Sequence, residues 1–341
     1  MKAGFLAAAA AAAFTFAVAG GAQAGTTLDG VKSKGFVQCG VNAGLPGFSS
    51  PDSAGNWTGL DVDYCRAVAV ALFNDPQKVK FTPTSAQQRF PAIQSGEVDL
   101  LSRNTTVTLT RDTSVGLNFT QPTYFDGQGF MVAKTLGVKS AKELNGATVC
   151  VQSGTTTELN LADYFRSNNM NYNPVVIENN DEVNAAFFAG RCDVLTTDVS
   201  QLASTRASVA PKPDDYVILP EVISKEPLAP AVRHGDDQWY DIVKWVVYAT
   251  IQAEESGITS KNVDEFLNSK NPEIQRLLGT SAGMGKALGL DEKWAFNVIK
   301  KVGNYGEIFD RNVGAPTPLK LERGINALWT KGGLQYAMPV R

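Results

Sequence analysis

Histidine is almost missing from this chain: His234 is the only one in 341 residues. A single imidazole cannot build a His-rich metal centre, and it could serve at most one Ser–His or Cys–His pair. No C-x-x-C spacing occurs, so no zinc knuckle is signalled, and no metal or cofactor is expected. Charge of one sign is also scarce. The formal net charge is -3, and Lys and Arg are spread without a basic block, which argues against nucleic acid as a partner. Low-complexity tracts and long linkers are absent as well beyond the N-terminal stretch of residues 1–24.

What is there begins with an export signal. Lys2 precedes an apolar, alanine-rich stretch at residues 5–18, and small residues end at Ala22-Gln23-Ala24. This reads as a secretory signal peptide over residues 1–24, too short and wrongly flanked for a membrane span of about 20 apolar residues. The mature chain is therefore expected in the periplasm, without membrane insertion. The roughly 315 residues that follow exceed what one core usually holds, so two domains are expected, and a 43% hydrophobic content can fill both.

Export permits disulfides, and Cys39, Cys65, Cys150 and Cys192 allow three pairings. Each half of the chain holds two cysteines in similar settings, which favours Cys39–Cys65 and Cys150–Cys192.

One pattern recurs. Residues 35–42 read as a buried strand, followed by a Gly/Pro-rich turn and a helix over 61–73. Residues 147–152 read as another strand, followed by Ser153-Gly154-Thr155 and a helix over about 157–167. Later in each half comes a short helix, a capping glycine (Gly96, Gly190) and an apolar strand, at 98–101 and at 192–195. Strands alternating with helices predict an α/β fold of two lobes with largely parallel sheets. In such sheets ligands bind beyond the carboxyl ends of the strands. Past the first of these ends lie four threonines, Asn104 and Arg111; past the second lie Thr196, Thr197 and Asp198. One lobe offers a guanidinium with hydroxyls and the other an anion, a set suited to a small zwitterion. A guanidinium grips a carboxylate through two parallel hydrogen bonds, and an ammonium needs several acceptors.

Six motifs taken in order, Gly59-Leu-Asp-Val-Asp63, Arg89-Phe-Pro-Ala-Ile-Gln-Ser-Gly-Glu-Val-Asp99, Asn104-Thr-Thr-Val-Thr-Leu-Thr-Arg111, Asn118-Phe-Thr-Gln-Pro122, Ser153-Gly-Thr-Thr156 and Thr197-Asp198, resemble the extracytoplasmic solute-binding proteins of amino-acid ABC transporters, nearest the general L-amino-acid-binding type. The resemblance implies the periplasmic-binding-protein fold, a two-segment hinge near residues 127–134 and 222–232, and lobes dividing as 25–134, 135–226 and 227–341. It implies a monomer that closes on an L-amino acid and delivers it to the membrane permease subunits of an ABC importer. Arg111 would hold the α-carboxylate, helped by Thr106 and the amide of Thr156; Asp198 and the carbonyl of Asn104 would hold the α-amino group. Asn42 stands where relatives selective for cationic side chains carry an acid, and Leu45 where an aromatic often stacks. Arg89 aligns with a position that pairs with side-chain carboxylates in acidic-ligand relatives, so glutamate and aspartate are expected to bind. Trp57 and Phe48 would wall the pocket. The region after about residue 255 is longer than in minimal members.

Plainer roles compete. Arg111 can be a surface residue paired with Asp112 or Asp126, Asp198 can cap a helix starting near Val199, the threonines can be ordinary strand, and Trp57 and Phe48 can be core. The alternative function is an exported lyase or glycan-cleaving enzyme on the same fold, with Glu158 as its nearest acid or base. The plainer role of Glu158 is to complement the dipole at its own helix start.

Overall fold

The computed structural model describes residues 26–341, so the expected signal peptide lies outside the described residues. Two five-stranded sheets organise the chain. The first runs, edge to edge, Val79–Thr84, Val37–Asn42, Leu100–Leu101, Ala231–Arg233, Leu117–Phe119; its first three strands are parallel and Ala231–Arg233 is antiparallel to both neighbours. The second runs Asn173–Ile177, Thr148–Gln152, Val194–Asp198, Gln128–Ala133, Tyr216–Ile218, again three parallel strands beside an antiparallel one. The strand Gln128–Ala133 corrects the expected division at 134, which leaves it in the first lobe. Its apolar residues have partners on both sides, Met131 facing Leu195 and Ile218, so it is an inner strand of the second sheet.

The sheets are joined where Tyr124–Asp126 pairs antiparallel with Glu226–Leu228, placing Glu226 opposite Asp126. Gly127 follows at once. A Cβ there would stand 2.2 Å from Val222 Cγ1 and 2.8 Å from the Ser224 carbonyl oxygen, so only glycine lets the two crossing segments lie this close.

Each sheet is covered on both faces. Helices Leu60–Phe73, Asp237–Glu255, Trp294–Val302 and Tyr305–Asn312 bury one face of the first sheet around Trp239, Tyr64 and Phe309. Each such side chain contributes about 1.5–3 kcal/mol on burial. Smaller clusters around Ile93 and Leu117, around Phe130 and Phe165, and around Met131 and Phe187 fill the other three faces. Cys39 is joined to Cys65 and Cys150 to Cys192. The first bond ties a strand to its following helix; the second ties the strand Thr148–Gln152 to the turn that leads into Val194–Asp198. The long C-terminal region braces the crossing strand: Asn326 accepts the Phe125 N–H at 2.7 Å and donates to its carbonyl at 2.9 Å, while Gln335 donates to the Pro122 carbonyl.

Candidate functional site

The carboxyl ends of the parallel strands of both sheets face one another, and Asn42, Thr84 and Gln152 stand at three of them. Between them lies a cavity of about 530 Å³ whose wall includes Asn42, Thr84 and Arg103 from the first lobe and Gln152 and Glu178 from the second. The lobes touch across it: Gln87 Nε2 donates to Ser153 Oγ at 2.8 Å, Ser85 Oγ to Glu178 at 3.1 Å, and Ser204 Oγ to the Pro46 carbonyl at 2.8 Å. Arg89 Nη2 reaches the carbonyl of Gly154 at 3.3 Å. Gly154 has φ +73°, and a Cβ would stand 2.8 Å from Gln87, so glycine permits this approach.

Arg111 is seated by a short helix. Thr108 caps Leu109–Thr113 by accepting the Arg111 N–H, and the guanidinium turns inward to donate to the Thr106 carbonyl at 2.9 Å. It is 7% exposed and shares the Phe90 ring with Arg89, the two guanidinium carbons 5.1 and 4.9 Å from its centroid. Burial pushes Arg111 down to about 10, against the opposing pull of Glu226 and Asp198. Arg89 is lowered too, by burial and then by the neighbouring Arg103 and Arg111. Among the described residues its Nε has no hydrogen-bond partner although buried. None of the three guanidiniums forms an ion pair among the described residues.

Asp198 answers them from the second lobe. It occupies the cap position of Val199–Ser208, yet its side chain makes no capping bond. The reason is Asp126: the first two amides of that helix are taken by the Gly127 carbonyl, at 2.8 Å from Val199 N, and by the Asp126 carboxylate, which accepts both N and Oγ of Ser200. Among the described residues Asp198 is thereby left without a hydrogen-bond partner while 6% exposed. Burial raises its pKa, helped by Asp126 and Glu226 and opposed by Arg89 and Arg111. Burial likewise lifts Asp126 to about 6.

Asn104 stands at φ +33°, and its N–H donates to Asp61 at 2.8 Å, while Ser102 Oγ donates to the other Asp61 oxygen at 3.2 Å. Asp61, in the first turn of Leu60–Phe73, thus shapes the turn carrying Asn104, and burial lifts it to about 6. Asn42 Nδ2 donates to Asn104 Oδ1 at 3.0 Å. Thr106 and Thr156 meet at 3.4 Å, but both hydroxyls are spent on Glu226, at 2.6 and 2.8 Å. Glu226 is 1% exposed and also accepts Asn160 Nδ2 at 2.7 Å and Ser224 Oγ at 2.6 Å. Sequence reasoning passed over this residue. It lies in a short segment between prolines and glycines of no clear period, and only its pairing opposite Asp126 brings it to the cleft.

Trp57 is not drawn into this cluster. It packs on Phe81, centroids 5.8 Å apart, against the first lobe's core. Phe48, 1% exposed, meets Tyr124 edge-on in the same core, and Leu45 is buried there as well. Apolar packing takes these side chains, Phe48 and Leu45 fully and Trp57 in part. Glu158 accepts the Gly154 N–H at 3.0 Å in the first turn of Thr156–Ser167.

The family model for bacterial extracellular solute-binding proteins, family 3, matches residues 37–268. The chain is 65% identical over 331 residues to the general L-amino acid-binding periplasmic protein AapJ of Rhizobium johnstonii, covering 96% of this chain and 97% of the relative. It is 56% identical over 326 residues to the glutamate/glutamine/aspartate/asparagine-binding protein BztA of Rhodobacter capsulatus, covering 95% and 96%. Among solved structures, an ABC transporter periplasmic binding protein from Brucella ovis with glutathione bound superposes with a TM-score of 0.91 at 59% identity, covering 93% of this chain and all of that one.

Proposed function

Because the chain belongs to family 3 of the bacterial extracellular solute-binding proteins, we propose that it captures L-amino acids between its two lobes in the periplasm and presents them to the permease of an ABC importer. The observation that carries this reading is that Arg111 and Asp198, buried on opposite lobes and close enough to feel each other's charge, have no ion-pair partner among the described residues. Buried charges are tolerated when something pairs them, and the α-carboxylate and α-ammonium of one amino acid do so at once. In this reading Arg111 and the Thr156 amide hold the carboxylate, and Asp198 and the Asn104 carbonyl hold the ammonium. Thr106 orders Arg111 through its carbonyl, since its hydroxyl belongs to Glu226. Arg89 faces acidic side chains. Closure bends the paired segments Tyr124–Asp126 and Glu226–Leu228, and ligand favours the closed arrangement. Nothing in this reading requires catalysis. The relatives are binding proteins, and Glu158 is held at its helix start. No described helix is long and apolar enough to cross a membrane.

A thermal-shift screen against the twenty amino acids tests it. Stabilisation follows RT ln(1 + [L]/Kd), so a ligand at 100 times its Kd adds about 2.7 kcal/mol. A response to several amino acids is expected, and a flat one overturns the reading. Glutathione joins the screen because the similar Brucella ovis protein holds it.

A further inference from the structure

Two carboxamides of the C-terminal region lie buried away from the cleft cavity, Asn326 at 3% exposure and Gln335 at 0%. Burying an amide costs free energy unless it is hydrogen-bonded, so what each one holds matters. Both hold the first crossing strand. Asn326 Oδ1 accepts the Phe125 N–H at 2.7 Å and Nδ2 donates to the Phe125 carbonyl at 2.9 Å. That is the pairing a neighbouring strand would give, offered by one side chain to the outer edge of a two-stranded ribbon. Phe125 sits opposite Pro227, which has no N–H to give, and its own polar groups turn outward to Asn326. Gln335 Nε2 donates to the Pro122 carbonyl at 3.1 Å, and the Tyr305 hydroxyl donates to the Thr123 carbonyl at 3.0 Å. The grip is itself anchored. Arg323 Nη2 donates to the Asn326 carbonyl at 3.1 Å and pairs with Glu254 at 3.0 Å, near the end of the helix Asp237–Glu255.

These bonds stop at Phe125, and the next residue is tied to the other lobe. Asp126 accepts both N and Oγ of Ser200, and the Gly127 carbonyl accepts Val199 N at 2.8 Å. The second crossing segment divides in the same way. On the second-lobe side Ile223 N donates to the Gln128 carbonyl at 2.9 Å and Ser224 Oγ accepts the Gln128 N–H at 3.2 Å. On the first-lobe side the Pro227 carbonyl accepts Val107 N at 2.8 Å and the Leu228 carbonyl accepts Thr123 N at 2.9 Å. Resting on the lobe-closure reading above, we infer that Asn326, Tyr305 and Gln335 are positioning residues for the hinge. They fix the first crossing strand to the first lobe as far as Phe125, confine rotation to the Phe125–Asp126 link and to the stretch between Ser224 and Pro227, and so limit how far the lobes part. The grip is complete while the lobes touch at Gln87 and Ser153 and at Ser204 and Pro46, so closing does not break it. An open state confined to fewer arrangements loses less freedom on closing, and apparent affinity rises with the fraction of chains ready to close. The C-terminal region thereby raises affinity for every ligand alike from outside the cleft.

The test compares Asn326→Ala and Tyr305→Phe with the wild-type protein and with Arg276→Ala, a control that releases the Val340 carbonyl of the same region without touching the crossing strand. Phe125 is half-buried, so water can replace its lost bonds and the variants are expected to fold, which a cooperative ligand-free melting transition checks. Should Asn326→Ala not fold, Tyr305→Phe, which loses one hydroxyl, carries the test. Calorimetry with L-glutamate, L-glutamine and L-alanine is expected to show affinity weakened at least about threefold in Asn326→Ala, by one factor for all three, less in Tyr305→Phe and not in Arg276→Ala. Small-angle scattering should give ligand-free Asn326→Ala a larger radius of gyration than ligand-free wild type, a difference that vanishes when ligand is bound. A lower melting temperature with unchanged affinity and unchanged ligand-free scattering makes the grip a brace for stability alone and overturns the inference. Tighter binding, or a loss confined to one ligand, overturns it too. A wild-type protein that binds none of the three amino acids overturns the amino-acid reading instead, and the ligand-free scattering then decides the hinge by itself.

Discussion

The two lobes follow one plan and carry opposite chemistry. Each has three parallel strands beside an antiparallel one, a disulfide, and a strand end that opens on the cleft. The first lobe brings Arg89, Arg103 and Arg111, and stands on a core extended by Asp237–Glu255 and the helices after it; the second brings Asp198 on two small clusters. The difference teaches that a repeated scaffold fixes where functional groups stand, not what they are. The strand ends are equivalent positions, and in the proposed function a cation at one with an anion at the other suits a symmetric frame to a polar, two-charged ligand.

Removing the charges tests this division most severely. Arg111→Ala should cost about 3–5 kcal/mol of amino-acid binding, since it strands a buried carboxylate, and Asp198→Asn about 2–4 kcal/mol. Calorimetry that finds near-normal affinity in either variant removes that lobe's charge from the site and dissolves the comparison.

Stability divides the lobes by a second route. The disulfides span 26 and 42 residues of sequence, and in the chain-entropy model each contributes about 3–4 kcal/mol, slightly more for the longer loop. Replacing Cys150 and Cys192 by alanine should therefore lower the melting temperature more than replacing Cys39 and Cys65, because the second lobe also has the smaller cores. Equal losses in scanning calorimetry would mean that the large first core does not compensate for its cross-link.

Glu226 belongs to neither lobe and joins both. Its carboxylate accepts Thr106 from the first and Thr156 and Asn160 from the second. In Glu226→Gln an amide nitrogen faces donors that an oxygen had accepted, so closure should lose about 2 kcal/mol, read as a matching drop in affinity for every amino acid, charged or neutral. A drop confined to acidic ligands would instead make Glu226 part of ligand choice.

Much of this was legible in the sequence. The two strand–turn–helix openings, the cysteine pairs and the polar runs past the strand ends all follow local rules, and the fold keeps them. The fate of Asp198 was not, because the capping rule names the residue before a helix and cannot know that Asp126, distant in sequence, satisfies Ser200 in its place. Arg103 carried a usable signal: it lies at the end of a buried parallel strand, where the same sheet rule pointed to Arg111. The position of Gln128–Ala133 was hidden because an apolar run beside a crossing point reads equally as connector or strand, and only pairing with Val194–Asp198 decides.

The smallest expected effect concerns acid. Burial raises Asp61 and Asp126 to about 6 from 3.8, so between those values the folded chain binds protons that the unfolded chain does not. Unfolding free energy then rises as pH falls from 7 to 5, by about 1 kcal/mol per group, the reverse of a carboxylate held in an ion pair. Asp61→Asn, which is neutral throughout, should flatten that slope in melting experiments on the ligand-free protein. Ligand affinity should move the other way, because Asp198, also raised, loses as it protonates the charge that faces an ammonium. Stability and affinity that fell together on acidification would place the raised carboxylates outside the cleft's balance of charge, and with them the contrast between a cationic and an anionic lobe.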